Sequence, residues 1–342
     1  MTKEKTVSLL KISITTLIVL VTIYFSVWKV NFTELMQSFR YANYWIVFLV
    51  IPMTVLGNFI RAARWKVILR SIHPDVKIGN LFAGVNIGYF MNTIIPRSGE
   101  ITRPYVTAQC EPGTNFSSLL GTIVVERVID VMALLFVAAV MLVYDTKLFD
   151  GFQDLGISED AVKRLVYPAI ILGVGVLLIA PSKAGLWIAE LLSKPLPEKI
   201  RTGIIDVFKK LQAGFGSIKS FKQVVFTTAY TILLYAVYML PCWFMLFAFE
   251  SGRTAHPVLF NGLQMFTLTA VAVAIAPTPG AFGVFHVTAR IAAMKLLNFT
   301  YADALAYGTL LHFGTYITLI TLGIYYLITK NLSVKELMKA KK

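Results

Sequence analysis

The chain is poor in charge. Only 15% of its 342 residues are Asp, Glu, Lys or Arg, against about 25% in an ordinary soluble domain. No long polar stretch offers material for a soluble catalytic domain. Cysteine is scarce as well: Cys110 and Cys242 stand far apart, with no CxxC pair and no metal-ligand spacing, which argues against a disulfide framework and against zinc. Walker, HExxH and GxSxG motifs are missing, so nothing points to ATP-driven transport, zinc hydrolysis or serine hydrolysis. No cofactor is expected, and any transport would be downhill or ion-coupled.

What the chain has in plenty is apolar sequence. The hydrophobic fraction is 57% and the mean hydropathy +0.70, and several runs reach the roughly 20 residues that a bilayer span needs. Full spans are expected at about 7–28, 42–60, 117–143, 166–181, 223–248 and 304–329. The first opens with Lys3 and Lys5 like a signal peptide, but runs on to Trp28 without a small-residue cleavage site, so an uncleaved span is expected. The formal charge of +14 gathers in a few loops and the tail, which makes it a membrane-orientation signal rather than a nucleic-acid one.

Two more apolar runs, 79–96 and 258–276, each end at a Pro/Gly break. Loops 61–78, 182–222 and 330–342 carry net charges of +4, +5 and +4, and loop 144–165 carries −2. The positive-inside rule puts the first three in the cytoplasm and the last outside. A full crossing at 79–96 would reverse that for the later loops, whereas a hairpin over 79–110 that enters and returns keeps every loop on its expected side. The order span, span, broken hairpin, span then occurs twice, over 7–143 and 166–329. Pro96-Arg-Ser-Gly99 and Pro277-Thr-Pro-Gly280 hold matching places. The sequence therefore predicts a single all-α integral membrane domain, 1–342, of about six full transmembrane helices plus two broken re-entrant hairpins in an inverted repeat. It would lie in the cell (inner) membrane, multi-pass, with both termini cytoplasmic. Segment 182–222 reads as amphipathic and suited to a surface of anionic lipid.

The candidate chemistry sits at the first break. Asn92 to Tyr105 places Arg97, Glu100 and Arg103 among apolar runs, where each charge costs about 2.5–3.5 kcal/mol at a helix centre. On a helix starting near Gly99 these three share one side. Either the arginines and free backbone N–H groups hold a phosphate, or the three charges neutralise one another to close the hairpin. Glu126, about 10 Å inside its span, forms with Arg127 and Asp130 an i,i+3/i,i+4 set with one spare negative charge for Arg97 or Arg103. That set is either functional or a structural staple. Arg61, Arg64 and Trp65 end the second span, as interfacial anchors or as a lipid-phosphate site at the entrance. His286 and Arg290, after the second break, are either structural or turned toward the first cluster.

These motifs resemble a known family. Arg61-x-x-Arg64-Trp65, Asn92-x-x-x-Pro96-Arg97-x-Gly99-Glu100-x-x-Arg103-x-Tyr105, Glu126-Arg127-x-x-Asp130 and Pro277-x-Pro279-Gly280-x-x-Gly283 are similar, in that order, to the series of the lysylphosphatidylglycerol synthase transmembrane region family. The resemblance implies lipid handling, flippase-like, with membrane lipids bearing an anionic phospholipid or glycolipid headgroup as partners. It implies a stand-alone member without the cytoplasmic aminoacyl-transferase domain, so aminoacylation does not carry over. Phe285-His286 stands where an acidic residue is expected in many relatives. A lipid translocase is the leading expectation. Its rivals are a membrane-embedded headgroup-modifying enzyme, with Glu100 or Glu126 as base, and a non-catalytic partner of a separate transferase. A homodimer is a further partner expectation.

Overall fold

The computed structural model describes residues 30–144, 182–195, 197–215, 220–276 and 278–339, with seven isolated helical positions outside those ranges. The expected spans at 7–28 and 166–181 and the acidic loop 144–165 lie almost wholly outside the described residues, and Pro277 lies outside them. The chain is an all-α membrane protein, with no strand among the described residues. Four segments are long and apolar enough to cross a bilayer: Tyr44–Leu69, Phe221–Leu246, Pro279–Leu297 and Tyr301–Thr329.

Helix α1 (Phe32–Tyr41) is started by Asn31, whose Oδ1 accepts from the backbone N–H groups of Thr33 and Glu34. Helix α2 (Tyr44–Leu69) runs 26 residues, about 39 Å at 1.5 Å per residue, and carries Pro52 on its exposed face. It continues well past position 60, where the apolar run had suggested an end. The chain then turns and enters α3 (Ile78–Ile94), breaks, and returns as α4 (Gly99–Cys110). At 12 residues α4 spans about 18 Å, short of the roughly 30 Å hydrocarbon core. Helix α5 (Phe116–Tyr144) follows, and then α6 (Lys183–Ser193) and α7 (Glu198–Phe215), of which α7 packs along α5.

The second half repeats this plan. Helix α8 (Phe221–Leu246) opens with a capping box, Ser220 and Gln223 each bonding the other's backbone N–H. A short α9 (Glu250–Ala255) leads to α10 (Leu259–Ile275), a 3-10 turn at Pro279–Ala281, α11 (Val284–Leu297), the long α12 (Tyr301–Thr329) and α13 (Val334–Lys339).

Helices α2 and α8 are antiparallel over their whole length. Asn43 N–H donates to the Ala248 carbonyl at one end (2.9 Å), and Gln223 Nε2 donates to the Val67 carbonyl at the other (3.1 Å). The first hairpin closes because its facing positions are small. A Cβ on Gly99 would lie 2.3 Å from the Gly88 carbonyl oxygen, and one on Gly84 would lie 2.7 Å from Thr107 Oγ1. At its open end, Glu111 Oε1 accepts from Lys77 N–H and Asn80 Nδ2, both at 2.8 Å. The packing α2–α3, α3–α4, α4–α5, α3–α12 and α2–α5 recurs as α8–α10, α10–α11, α11–α12, α10–α5 and α8–α12. Large apolar side chains such as Trp45, Phe48, Phe226, Ile232 and Ile328 lie on the outside, a surface that suits lipid rather than water.

Candidate functional site

Where the first hairpin meets α2, α5 and α8, five charged side chains meet in the interior. On α2, Arg61, Arg64 and Trp65 occupy i, i+3 and i+4 and therefore share a face. They point inward: Arg64 and Trp65 are fully buried and Arg61 is 6% exposed. This corrects the reading of Arg61 and Arg64 as interfacial anchors. The arginines stay in the interior because α5 supplies the counter-charge. Arg61 Nη1 reaches Glu126 Oε1 at 2.6 Å and Asp130 Oδ2 at 3.0 Å. Arg64 Nη2 reaches Asp130 Oδ1 at 2.6 Å and Glu126 Oε1 at 3.1 Å. From α4, Arg103 Nη1 adds a third contact to the same Glu126 oxygen, at 2.9 Å.

Neutral groups complete the shell. Arg61 Nε donates to Tyr238 Oη (3.2 Å), Arg64 Nη1 to Thr231 Oγ1 (3.1 Å), and Tyr235 Oη to the Asp130 carbonyl (2.7 Å). Trp65 Nε1 donates to Thr122 Oγ1 (2.9 Å), which anchors the indole beneath Arg103, whose Cζ lies 3.9 Å from a ring centroid. That is cation–π geometry.

The charges do not cancel. Among the described residues, Arg61, Arg64 and Arg103 face Glu126 and Asp130, leaving one positive charge over. The remaining pair, Arg127 Nε to Glu100 Oε1 at 3.1 Å, is neutral by itself and about two-fifths exposed. Several buried polar atoms also lack a hydrogen-bond partner among the described residues: Arg103 Nε and Nη2, Arg64 Nε and Glu126 Oε2. A cleft of about 20 Å³ opens onto this cluster, lined by Arg61, Tyr89, Asn92, Arg103, Arg127, Gly88 and Gly99. That is room for about one water.

Other sequence candidates fall elsewhere. Arg97 sits at the hairpin tip with φ +59°, exposed, and its Nη2 donates to the Ala274 carbonyl at the end of α10 (3.0 Å). It meets neither Glu126 nor Arg103, because it lies in the turn before α4 begins. Glu100 faces Arg127, not the arginines on its own stretch. Arg127 is only 4.0 Å from Asp130, so the expected set within α5 is loose. Asn92 fixes the tip, its Oδ1 accepting from Gly99 N–H at 2.7 Å. Tyr105 packs in an apolar group with Ile87, Met91 and Leu327.

At the second break, Gly280 and Gly283 take φ of +57° and +79°, where a side chain is strained. His286 stacks on Phe282 and lies 4.8 Å from His312, ring to ring. His312 Nε2 bonds the Gly280 carbonyl at 2.7 Å, and Arg290 lies over Tyr301. His286 and Arg290 therefore support their own hairpin and do not face the arginine cluster. Tyr89, Tyr238, Tyr235 and Thr231 carried no signal in the sequence beyond common membrane composition. Glu111, an acid at a helix end, lies outside the charged motifs of the sequence.

The profile of the lysylphosphatidylglycerol synthase TM region matches residues 9–323. The chain belongs to that family. Curated relatives of this family member include a UPF0104 membrane protein of Pyrococcus horikoshii, 22% identical over 278 residues that cover 76% of this chain and 80% of the relative. Another UPF0104 membrane protein, from Methanocaldococcus jannaschii, is 25% identical over 257 residues, covering 69% and 70%. Glycosyltransferase AglD of Haloferax volcanii is 26% identical over 301 residues; these take in 80% of this chain but 47% of AglD, so the chain spans about half of that relative. No solved structure matches. The lysylphosphatidylglycerol synthase TM region accounts for the multi-pass α-helical architecture, and its match takes in every residue of the buried ion network.

Proposed function

We propose that the protein is a lipid translocase that moves an anionic phospholipid or a lipid-linked headgroup between leaflets. The observation that supports this is the buried cluster with one positive charge over, opening onto a cleft lined by a broken hairpin and two long helices, α2 and α5. Intramembrane charge is costly and marks substrate pathways, and arginine is the cation suited to phosphate. A cleft that holds about one water is too small for a headgroup. In this reading the structure is a closed state, and the hairpin must shift to admit lipid. The recurrent packing of the two halves supports an inverted repeat, in which one half rocks against the other. The protein would sit in the cell (inner) membrane with both termini cytoplasmic. Membership of a lipid-related family and the likeness to a named glycosyltransferase agree with a lipid role.

The test is reconstitution. Vesicles of phosphatidylcholine containing labelled phosphatidylglycerol are assayed for leaflet exchange by quenching the outer label. Exchange faster than in empty vesicles, lost in Arg103→Gln, is expected. No acceleration for any anionic phospholipid or lipid-linked sugar tested would overturn the proposal.

A further inference from the structure

The arrangement of Arg103 specifies the charge of the group that the cleft receives, on the premise that the translocase reading holds. Its side chain is 92% buried, and its Cζ lies over the Trp65 ring, 3.9 Å from a ring centroid. Nη1 is engaged by Glu126, while Nε and Nη2 are both unpartnered among the described residues. These two N–H groups point the same way along one edge of the guanidinium, and that edge is the fork that takes two oxygens of a single oxyanion. The fork belongs to a side chain lining the cleft. The charge count sets the rest. Three arginines against two carboxylates leave room for one negative charge, while the Arg127–Glu100 pair cancels itself at the rim.

We propose that the cleft is built for one singly charged phosphodiester, whose two free oxygens accept from Nε and Nη2 of Arg103, and that it rejects doubly charged phosphomonoesters. The diester brings the site to neutrality. A monoester brings a second negative charge that nothing within the cluster balances. Glu100 is then the residue that sets this preference, because it keeps the Arg127 charge, at the cleft's edge, out of the count.

The experiment compares labelled phosphatidylglycerol with labelled phosphatidic acid in phosphatidylcholine vesicles at about pH 9, above a second phosphate pKa of about 6. The expected exchange is at least about tenfold faster for phosphatidylglycerol. Glu100→Gln, at a half-exposed pair that tolerates change, should narrow that ratio by speeding phosphatidic acid. Binding of short-chain phosphatidylglycerol, short-chain phosphatidic acid and hexanoate is measured in detergent in parallel, where no leaflets exist. Diester-selective binding without any exchange supports the charge assignment and defeats only the translocase reading. Equal exchange of both lipids, or a ratio unmoved by Glu100→Gln, overturns the charge assignment and leaves translocation standing. Hexanoate competing as well as the short-chain diester overturns the phosphodiester assignment. Neither binding nor exchange defeats both.

Discussion

Replacing Glu126 with Gln should harm the fold far more than replacing Arg103 with Gln, although the two are bonded to each other. Glu126 Oε1 serves three guanidinium groups at 2.6, 2.9 and 3.1 Å. Without the carboxylate, Arg61 keeps Asp130 and Tyr238, and Arg64 keeps Asp130 and Thr231. Arg103 has no other hydrogen bond among the described residues and becomes an unpaired buried cation. Breaking a buried pair from one side costs about 3–5 kcal/mol. In Arg103→Gln the carboxylate retains Arg61 and Arg64, so the loss is one charge-assisted hydrogen bond plus the stacking on Trp65, about 2–3 kcal/mol. The surplus positive charge disappears as well, which offsets part of that. Thermal unfolding in detergent checks the order, and lipid exchange on the same samples checks function. Arg103→Gln should remain folded and lose exchange, and Glu126→Gln should lose folded protein. Equal destabilisation by the two, or normal exchange in Arg103→Gln, would refute the reasoning. In the double variant Arg103→Gln/Glu126→Gln, the midpoint should lie above that of Glu126→Gln alone, because Arg103 no longer stands unpaired.

Arg64→Lys keeps the charge but not the fork that joins Asp130, Glu126 and Thr231, and should lower stability by about 2–4 kcal/mol, read from detergent unfolding. Tyr238→Phe removes the hydroxyl that accepts from Arg61 and should cost about 1–3 kcal/mol by the same measurement. Gly99→Ala pushes a methyl group into the Gly88 carbonyl, at 2.3 Å, and should spread the hairpin, seen as faster hydrogen exchange over 84–107. Arg97→Ala removes one exposed contact to the Ala274 carbonyl and should change stability by less than about 1 kcal/mol, again by unfolding in detergent.

Much of this site can be read along the chain, and the part that cannot has a definite cause. The break at 95–99 is legible because Pro96, Gly99 and charge interrupt an apolar run, and it falls where α3 ends. Glu126 and Asp130 are legible as a pair because i,i+4 spacing fixes them on one side of a helix. Which cation each one meets is not legible, since that depends on how α2, α4 and α5 are rotated about their axes. Arg61 and Arg64 illustrate this. Read in sequence they end the apolar run, so they pass for interfacial anchors, yet the counter-charge that lets α2 continue to Leu69 lies 60 residues or more away. Their inward placement also lowers the charge of the loop that follows. Without Arg61 and Arg64 the net charge over 61–78 falls from +4 to +2, so the orientation argument keeps its sign but loses half its weight there. Glu100 failed for a related reason: spacing places it near Arg103 along α4, while the rotation of α4 turns it toward Arg127.

The surplus charge has an energetic consequence beyond the site. An unbalanced guanidinium in a low-dielectric interior is unfavourable, and a network designed only to staple the hairpin would be better with equal numbers of each sign. Two carboxylates for two arginines would achieve that, and Arg103 would be dispensable. In the proposed translocase Arg103, stacked and with Nε and Nη2 unpartnered among the described residues, would be better satisfied with an anion bound than without one. A bound anion would supply those partners, and the binding free energy that differs between two positions of the hairpin would be available to move it. A ligand that binds one state alone shifts the equilibrium toward it by its differential affinity. The excess charge is therefore what would link headgroup entry to motion of α3 and α4, and the same link explains why a site tuned to one negative charge would be left idle by a neutral lipid.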